Sequence, residues 1–203
     1  MNLHLGARDP EAGKKKLFFA NQWAIAFTNQ GGAGKAYSVA AGSDLLVKLN
    51  VAADGALSFT VDGDTTRYID LNDPTNPATS GRKAGKNPRG IAITGDGRRA
   101  YVMNFVSRNV SVVDLDQDKV VASVATADLP PPGSQAERTL VGAEMFFSTR
   151  GHFDRHGGLT VPTDERLSQA GWQGCASCHF EGLTDGVVWQ FNTGPRKSIP
   201  LNG

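Results

Sequence analysis

Residues Gly97 to Val124 read GRRAYVMNFVSRNVSVVDLDQDKVVASV. Val110, Val112 and Leu115 alternate imperfectly with Ser111, Val113 and Asp114, the pattern of a strand that packs on both of its faces. Ahead of the stretch stands Gly95-Asp96-Gly97, a hairpin turn of the kind that needs a positive φ. Strand, turn, strand, polar turn and strand in immediate succession predict an antiparallel meander.

A weaker copy lies upstream. Trp23 to Leu57, WAIAFTNQGGAGKAYSVAAGSDLLVKLNVAADGAL, can be laid over Arg89 to Ser123. Both have an apolar alternation, a Gly-rich turn, a basic residue before Ala-Tyr, a second strand, a polar turn and a third strand. The better copy, Asn87 to Val124, resembles the YVTN-type β-propeller repeat, whose blades carry Ala-Tyr-Val-x-Asn followed by Val-Ser-Val-Val-Asp. Between the two, Asp64 to Gly90 is polar and Pro-rich and is expected to be a long loop. A closed propeller takes about four to eight blades, and this chain has material for two or three. Its β part is therefore expected to be completed by further polypeptide.

Composition narrows the function classes. The 203 residues carry a formal charge of +1, with both signs interspersed, so there is no electrostatic footprint for nucleic acid or an anionic membrane surface. Lys14 to Lys16 reads as a solvated turn. No apolar run has the length of a membrane span. The segment KKKLFFANQWAIAF has the basic start and apolar run of a signal peptide, but Asn21 and Gln22 interrupt it, and it reads as a strand. Two further motifs fail on inspection. GGAGK lacks the glycine and the Ser or Thr that a phosphate loop requires, at Asn29 and Ala36. DLDQDK, with Asp114, Asp116 and Asp118, lacks the glycine and distal Glu of a calcium loop.

ADLPPPGSQAE marks the boundary between two parts. Three consecutive prolines force an extended segment, and Ser134 with Glu137 fits a capping box opening a helix in which Leu140, Val141, Met145 and Phe146 recur at helical spacing. Beyond it, GCASCH holds both cysteines of the chain and one of its four histidines. On a helix, Cys175, Cys178 and His179 fall at i, i+3 and i+4, over one face within a turn. Cys-x-x-Cys-His is the attachment signature of covalent haem c, with the thiols on the vinyl groups and the imidazole on the iron. A redox disulfide would be expected near a βαβ pattern, which is lacking here. A zinc site remains as an alternative, because His152 and His156 at i, i+4 complete a ligand set with Cys175 and Cys178.

The final third resembles the di-haem cytochrome c peroxidase family. VGAEMFFSTR is similar to that family's opening helix, DERLSQAGWQGCASCH to its approach to the first haem, and LTDGVVWQFNTGPRKSIPLN to the segment that follows. The resemblance implies that Cys175 and Cys178 hold the porphyrin, that His179 is the proximal ligand and that Arg196 stands near the haem edge, where a guanidinium pairs with a propionate. Trp172 and Trp189 flank the motif as candidates to pack on the porphyrin. The chain carries one such haem motif where the family has two. No Met or His follows His179, so the sixth position is open, held by water, filled from another chain, or filled by His152, His156 or Met145. His156 is the preferred candidate.

The expected architecture is multidomain, β then α: partial β-propeller blades over 1–128, a Pro-rich linker over 129–136 and a mainly α cytochrome c-type haem domain over 137–203. The expected function is electron transfer through covalent haem c, with a redox partner protein and further polypeptide completing both parts. Peroxide reduction at the same iron is the enzymatic alternative, and a zinc-stabilised propeller binding module the third. Haem attachment implies an exported protein, periplasmic or extracellular, whose leader lies upstream of this sequence or has been processed away.

Overall fold

The structure, a computed structural model, describes residues 18–29, 31–59, 67–150, 152–153, 159–160, 168 and 171–202. Two antiparallel meanders form its body. The first sheet runs β1 (Gln22–Phe27), β2 (Gly34–Ala40), β3 (Leu45–Val51) and β4 (Leu57–Ser58), with β5 (Tyr68–Asp70) also paired to β3. The second runs β6 (Pro88–Ile93), β7 (Arg99–Asn104), β8 (Asn109–Asp114) and β9 (Lys119–Ala125). These are the two blade-like units of the repeat, and the arrangement is β-propeller-like. The segment expected to be a loop supplies a strand of its own, because Tyr68, Ile69 and Asp70 pair with Val47, Leu46 and Leu45.

Period-2 alternation explains how the sheets stack. Tyr37, Val39, Leu46, Ile69 and Leu71 of the first unit meet Ala100, Val102, Val113, Leu115 and Val120 of the second in one buried cluster. Ala36, Ala40, Leu45, Val47 and Leu49, on the opposite face of the first sheet, are buried with Phe19. That sheet is thus apolar on both faces, each buried Val or Leu contributing roughly 1.5–3 kcal/mol. Lys48 sits in the inter-sheet layer and pairs at 2.7 Å with Asp118 in the β8–β9 turn. Asp116 pairs with Arg98 at 2.8 Å. Two of the three carboxylates in DLDQDK are thus engaged by the sheets' own cations.

The second sheet's inward face is partly polar, which its sequence conceals. Ser111 and Val113 are buried while Val110 and Val112 are half-buried, so Ser111 points inward where the apolar pattern alone favours its neighbours. Asn104 Nδ2 donates to Asn109 Oδ1 at 2.8 Å and to Ser111 Oγ at 2.9 Å, and Asn109 Nδ2 donates to Ala84 O at 3.0 Å. Gly85 closes over this network: a Cβ there would lie 2.8 Å from Ser111 Oγ and 2.9 Å from Asn104 Nδ2. Gly85→Ala is therefore expected to cost about 1–3 kcal/mol, read as a lower urea midpoint at unchanged slope; an unchanged midpoint would show that the network yields without cost. In the β6–β7 turn the positive φ falls on Gly97 (φ 70°).

The chain beyond the prolines corrects the expected β-then-α division. Among the described residues it forms one full helix, α1 (Gln135–Phe147), a four-residue helix α2 (Cys175–Cys178), and the hairpins β10 (His152–Phe153) with β11 (Leu159–Thr160) and β12 (Val188–Phe191) with β13 (Gly194–Lys197). The described residues of 137–203 do not build a mainly α cytochrome c-type domain. The physical reason lies in their composition: Gly171, Gly182, Gly186 and Gly194 all take positive φ, Pro195 and Pro200 interrupt any longer helix, and Val187-Val188-Trp189 favours strand. The helix start is as read from the sequence, since Ser134 Oγ accepts from Glu137 N at 3.1 Å. The Glu137 carboxylate, however, reaches back to Gly133 N.

Candidate functional site

Helix α1 delivers the chain onto the first sheet. Ser148, Thr149 and Arg150 are buried there: Thr149 donates through N at 2.7 Å and Oγ1 at 2.9 Å to Gly42 O. Arg150 makes a two-pronged ion pair with Asp70 at 2.5 and 2.9 Å. Beside this pair lies Asp44, wholly buried, whose carboxylate accepts from Asn87 N at 2.8 Å and Asn72 Nδ2 at 3.0 Å. Burial pushes its pKa up to about 6, against the opposing pull of Arg150 and these hydrogen bonds.

The cysteine motif is seated on that platform. Gly174 precedes α2 so closely packed that a Cβ would lie 2.9 Å from Ser148 O. Ser177 Oγ accepts from Gly174 N at 3.1 Å and donates to Asn21 Oδ1 at 3.0 Å, tying the helix to the entry of β1. Cys175 and Cys178 open and close α2, and His179 is its C-cap, with N donating to Cys175 O at 3.0 Å. The imidazole leaves the helical path at φ −110°, and the chain then reverses through Glu181 at φ 51° and Gly182 at φ 79°. Below the turn, Asp185 N donates to Cys178 O at 3.0 Å. Asp185 accepts from Trp189 Nε1 and Ser198 Oγ, each at 2.8 Å. Desolvation works to raise its pKa, yet the Ser198 and Trp189 hydrogen bonds outweigh it and hold the carboxyl below its ordinary value.

The donor set suits thioether chemistry. Both cysteines are free thiols, and desolvation holds the Cys178 thiol above its ordinary pKa despite the hydrogen bond from Gln173. Nδ1 of His179 is buried without a hydrogen-bond partner, an arrangement costing roughly 1–3 kcal/mol unless something satisfies it. Over residues 172–199, Trp172, Phe180, Leu183, Val188, Phe191 and Ile199 are exposed, Ile199 to 68%. Exposed apolar side chains concentrated in one segment mark a surface built to meet another apolar body. Two free thiols and an adjacent imidazole on one short turn, in a segment with exposed apolar side chains, fit a covalently held porphyrin.

The other candidate residues are scattered. Arg196 is exposed on β13, with Nη2 3.3 Å from Thr193 Oγ1. Trp172 and Trp189 lie 6.4 Å apart, against each other. Met145 is 40% exposed on α1. His156 and the side chain of His152 lie outside the described residues, so the preferred sixth ligand and the zinc set have no structural account. Among the described residues no group of three or more His, Cys, Asp and Glu side chains gathers as a metal site. The sequence reading missed Asn21, Trp23, Arg89 and Glu181, which hold the motif. Only Glu181 is near it in the chain, and nothing local signals the rest.

Comparison with known protein families finds no match, and none of the curated proteins matches. Among solved structures, the chain is similar over 54% of its length to a functionally unknown protein from Desulfotomaculum acetoxidans, at 20% identity, TM-score 0.40 and 30% of that chain. It is similar over 46% of its length to hydrazine synthase of Kuenenia stuttgartiensis, at 18% identity, TM-score 0.33 and 20% of that chain. A proposed 6-phosphogluconolactonase from Bacteroides fragilis is matched over 60% of this chain and 32% of that one, at 18% identity and TM-score 0.37. The chain spans about a third or less of each of these structures. Likeness at this level assigns no ligand and no activity.

Proposed function

We propose that the chain carries one haem c bound through thioethers from Cys175 and Cys178, with His179 as proximal ligand, and that it passes electrons outside the cytoplasm, in the periplasm or beyond the cell. The observation that carries this reading is two free thiols at the two ends of one helical turn with His179 as its C-cap, in a segment with exposed apolar side chains. Each thiol adds across a vinyl C=C, the sulfur taking one carbon and the hydrogen the other, so no oxidant is consumed. The bound group supplies a one-electron couple. The chain's own part is to fix the attachment turn: Ser177 and Asn21 hold α2, Asp185 holds the Cys178 carbonyl, and Phe180 stacks on Trp23 at 5.4 Å. The test is denaturing electrophoresis with a haem stain, after production in a host that attaches haem c. Retained colour is expected, and a colourless chain with stoichiometric zinc overturns the reading.

A further polypeptide belongs to the same proposal. Tyr101, Met103 and Val124 lie on the face of the second sheet turned away from the first, and are 44%, 44% and 56% exposed. The equivalent surface of the first sheet is buried. A partner sheet, reached after export, is the expected cover and a redox protein the expected electron partner. A stable, strictly monomeric chain at micromolar concentration would argue against the cover.

A further inference from the structure

Arg89 has no role in the haem motif by sequence, yet it occupies the point where four parts of the structure converge. Its guanidinium carbon lies 4.3 Å from the ring centre of Trp23 in β1, 4.3 Å from that of Phe105 after β7 and 4.6 Å from that of Phe147 at the end of α1. Nε donates to Asn87 Oδ1 at 2.8 Å. Nη2 is buried without an acceptor, facing a setting in which aromatic rings replace one. The remaining arm, Nη1, reaches Glu181 Oε1 at 3.3 Å. Glu181 is the second residue past His179 and takes φ 51°, a conformation that a non-glycine residue holds only when its surroundings impose it. The side chain of Arg89 is 13% exposed, that of Glu181 44%.

We propose that the Arg89–Glu181 pair is a positioning and tuning device for the haem site: it holds the attachment turn against both sheets and, through its two opposed charges, sets the balance between ferric and ferrous iron at His179. The inference rests on the haem reading above. Its first part follows from the contacts, since the aromatic cage fixes the guanidinium and the guanidinium fixes the turn. Its second part follows from charge. A carboxylate close to the iron favours the more positive ferric state, and a guanidinium favours the ferrous state. Paired, they largely cancel, and removing either leaves the other uncompensated.

The experiment uses the haem-loaded full chain and four variants: Arg89→Met, Arg89→Lys, Glu181→Gln and the double variant Arg89→Met with Glu181→Gln. Haem staining of the unmutated chain comes first, and a colourless chain ends the haem reading and this inference with it. With haem present, Arg89→Met is expected to lower the reduction potential, Glu181→Gln to raise it, and the double variant to return towards the parent. Arg89→Lys keeps the charge and loses the fork, so any fall in its potential measures loosening of the turn apart from charge. A purely structural joint would lower the potential in both Arg89→Met and Glu181→Gln, because loosening admits water to the haem and water favours the more charged ferric state. That outcome, or no shift in either, overturns the tuning role and leaves the haem reading standing. Positioning is read separately in the haem-free chain, where Cys175 and Cys178 of Arg89→Lys should react faster with a thiol reagent than those of the parent. Equal rates overturn the positioning role. Should Arg89→Met fail to fold, Glu181→Gln still decides the tuning role.

Discussion

Arg150→Ala is expected to destabilise the chain by about 3–5 kcal/mol at neutral pH. Arg150 is buried and satisfies both oxygens of Asp70, and its Nη2 also meets Asn72 O at 3.3 Å. Its removal strands one partly buried and one fully buried carboxylate with no cation between them. The pH dependence identifies the cause. In the intact chain Asp44 is raised from 3.8 to about 6, so the folded state holds a proton that the unfolded state has lost across that window. Stability from this group is fully present below pH 3.8 and falls as pH rises to about 6, by roughly 3 kcal/mol in all. Arg150 is the largest of the influences that hold that pKa down, and without it the fall extends to higher pH. The deficit of Arg150→Ala should therefore be larger at pH 8 than at pH 5 in urea unfolding. An equal deficit at both, or one under about 1 kcal/mol, would mean that the pair is offset by its own desolvation.

The second large effect is on the cofactor. Cys175→Ala and Cys178→Ala each leave one thioether, and the double variant leaves none. On denaturing gels, haem should persist at reduced yield in either single variant and vanish from the double one. Each unreacted vinyl group extends the conjugation of the macrocycle, so the single variants should absorb at longer wavelength than the parent in alkaline pyridine. Both residues lie near the surface, Cys175 exposed and Cys178 partly so, so the unfolding midpoint of the haem-free chain should barely move. Covalent colour surviving in the double variant would place attachment elsewhere and refute the assignment of both thiols.

The two meanders were legible because strand pairing with near neighbours leaves a local record. Period-2 alternation, Gly-containing turns and an internal copy are written over some thirty residues. The cysteine motif was legible for the same reason, since Cys175, Cys178 and His179 sit within one turn. What the sequence misled on was the C-terminal segment. The helical spacing of Leu140, Val141, Met145 and Phe146 held for α1, but its extension into a helical domain failed on the glycines and prolines that follow. Asp64 to Gly90 hid β5 because three residues are too few to show a period.

By itself the sequence determined the repeated β units, the capped helix after the prolines and the thiol and imidazole set at 175–179. Each depends on residues close together in the chain. The tertiary structure alone decided that Ser111 and Asn104 face inward under Gly85, that Arg150 finds Asp70 across 80 positions, and that Arg89 finds Trp23, Phe147 and Glu181. A buried charge is stable only opposite its partner, and the partners of Arg150 and Arg89 lie far from them along the chain. The pairings come into being only when the sheets stack and the last segment docks, so no local pattern announces them.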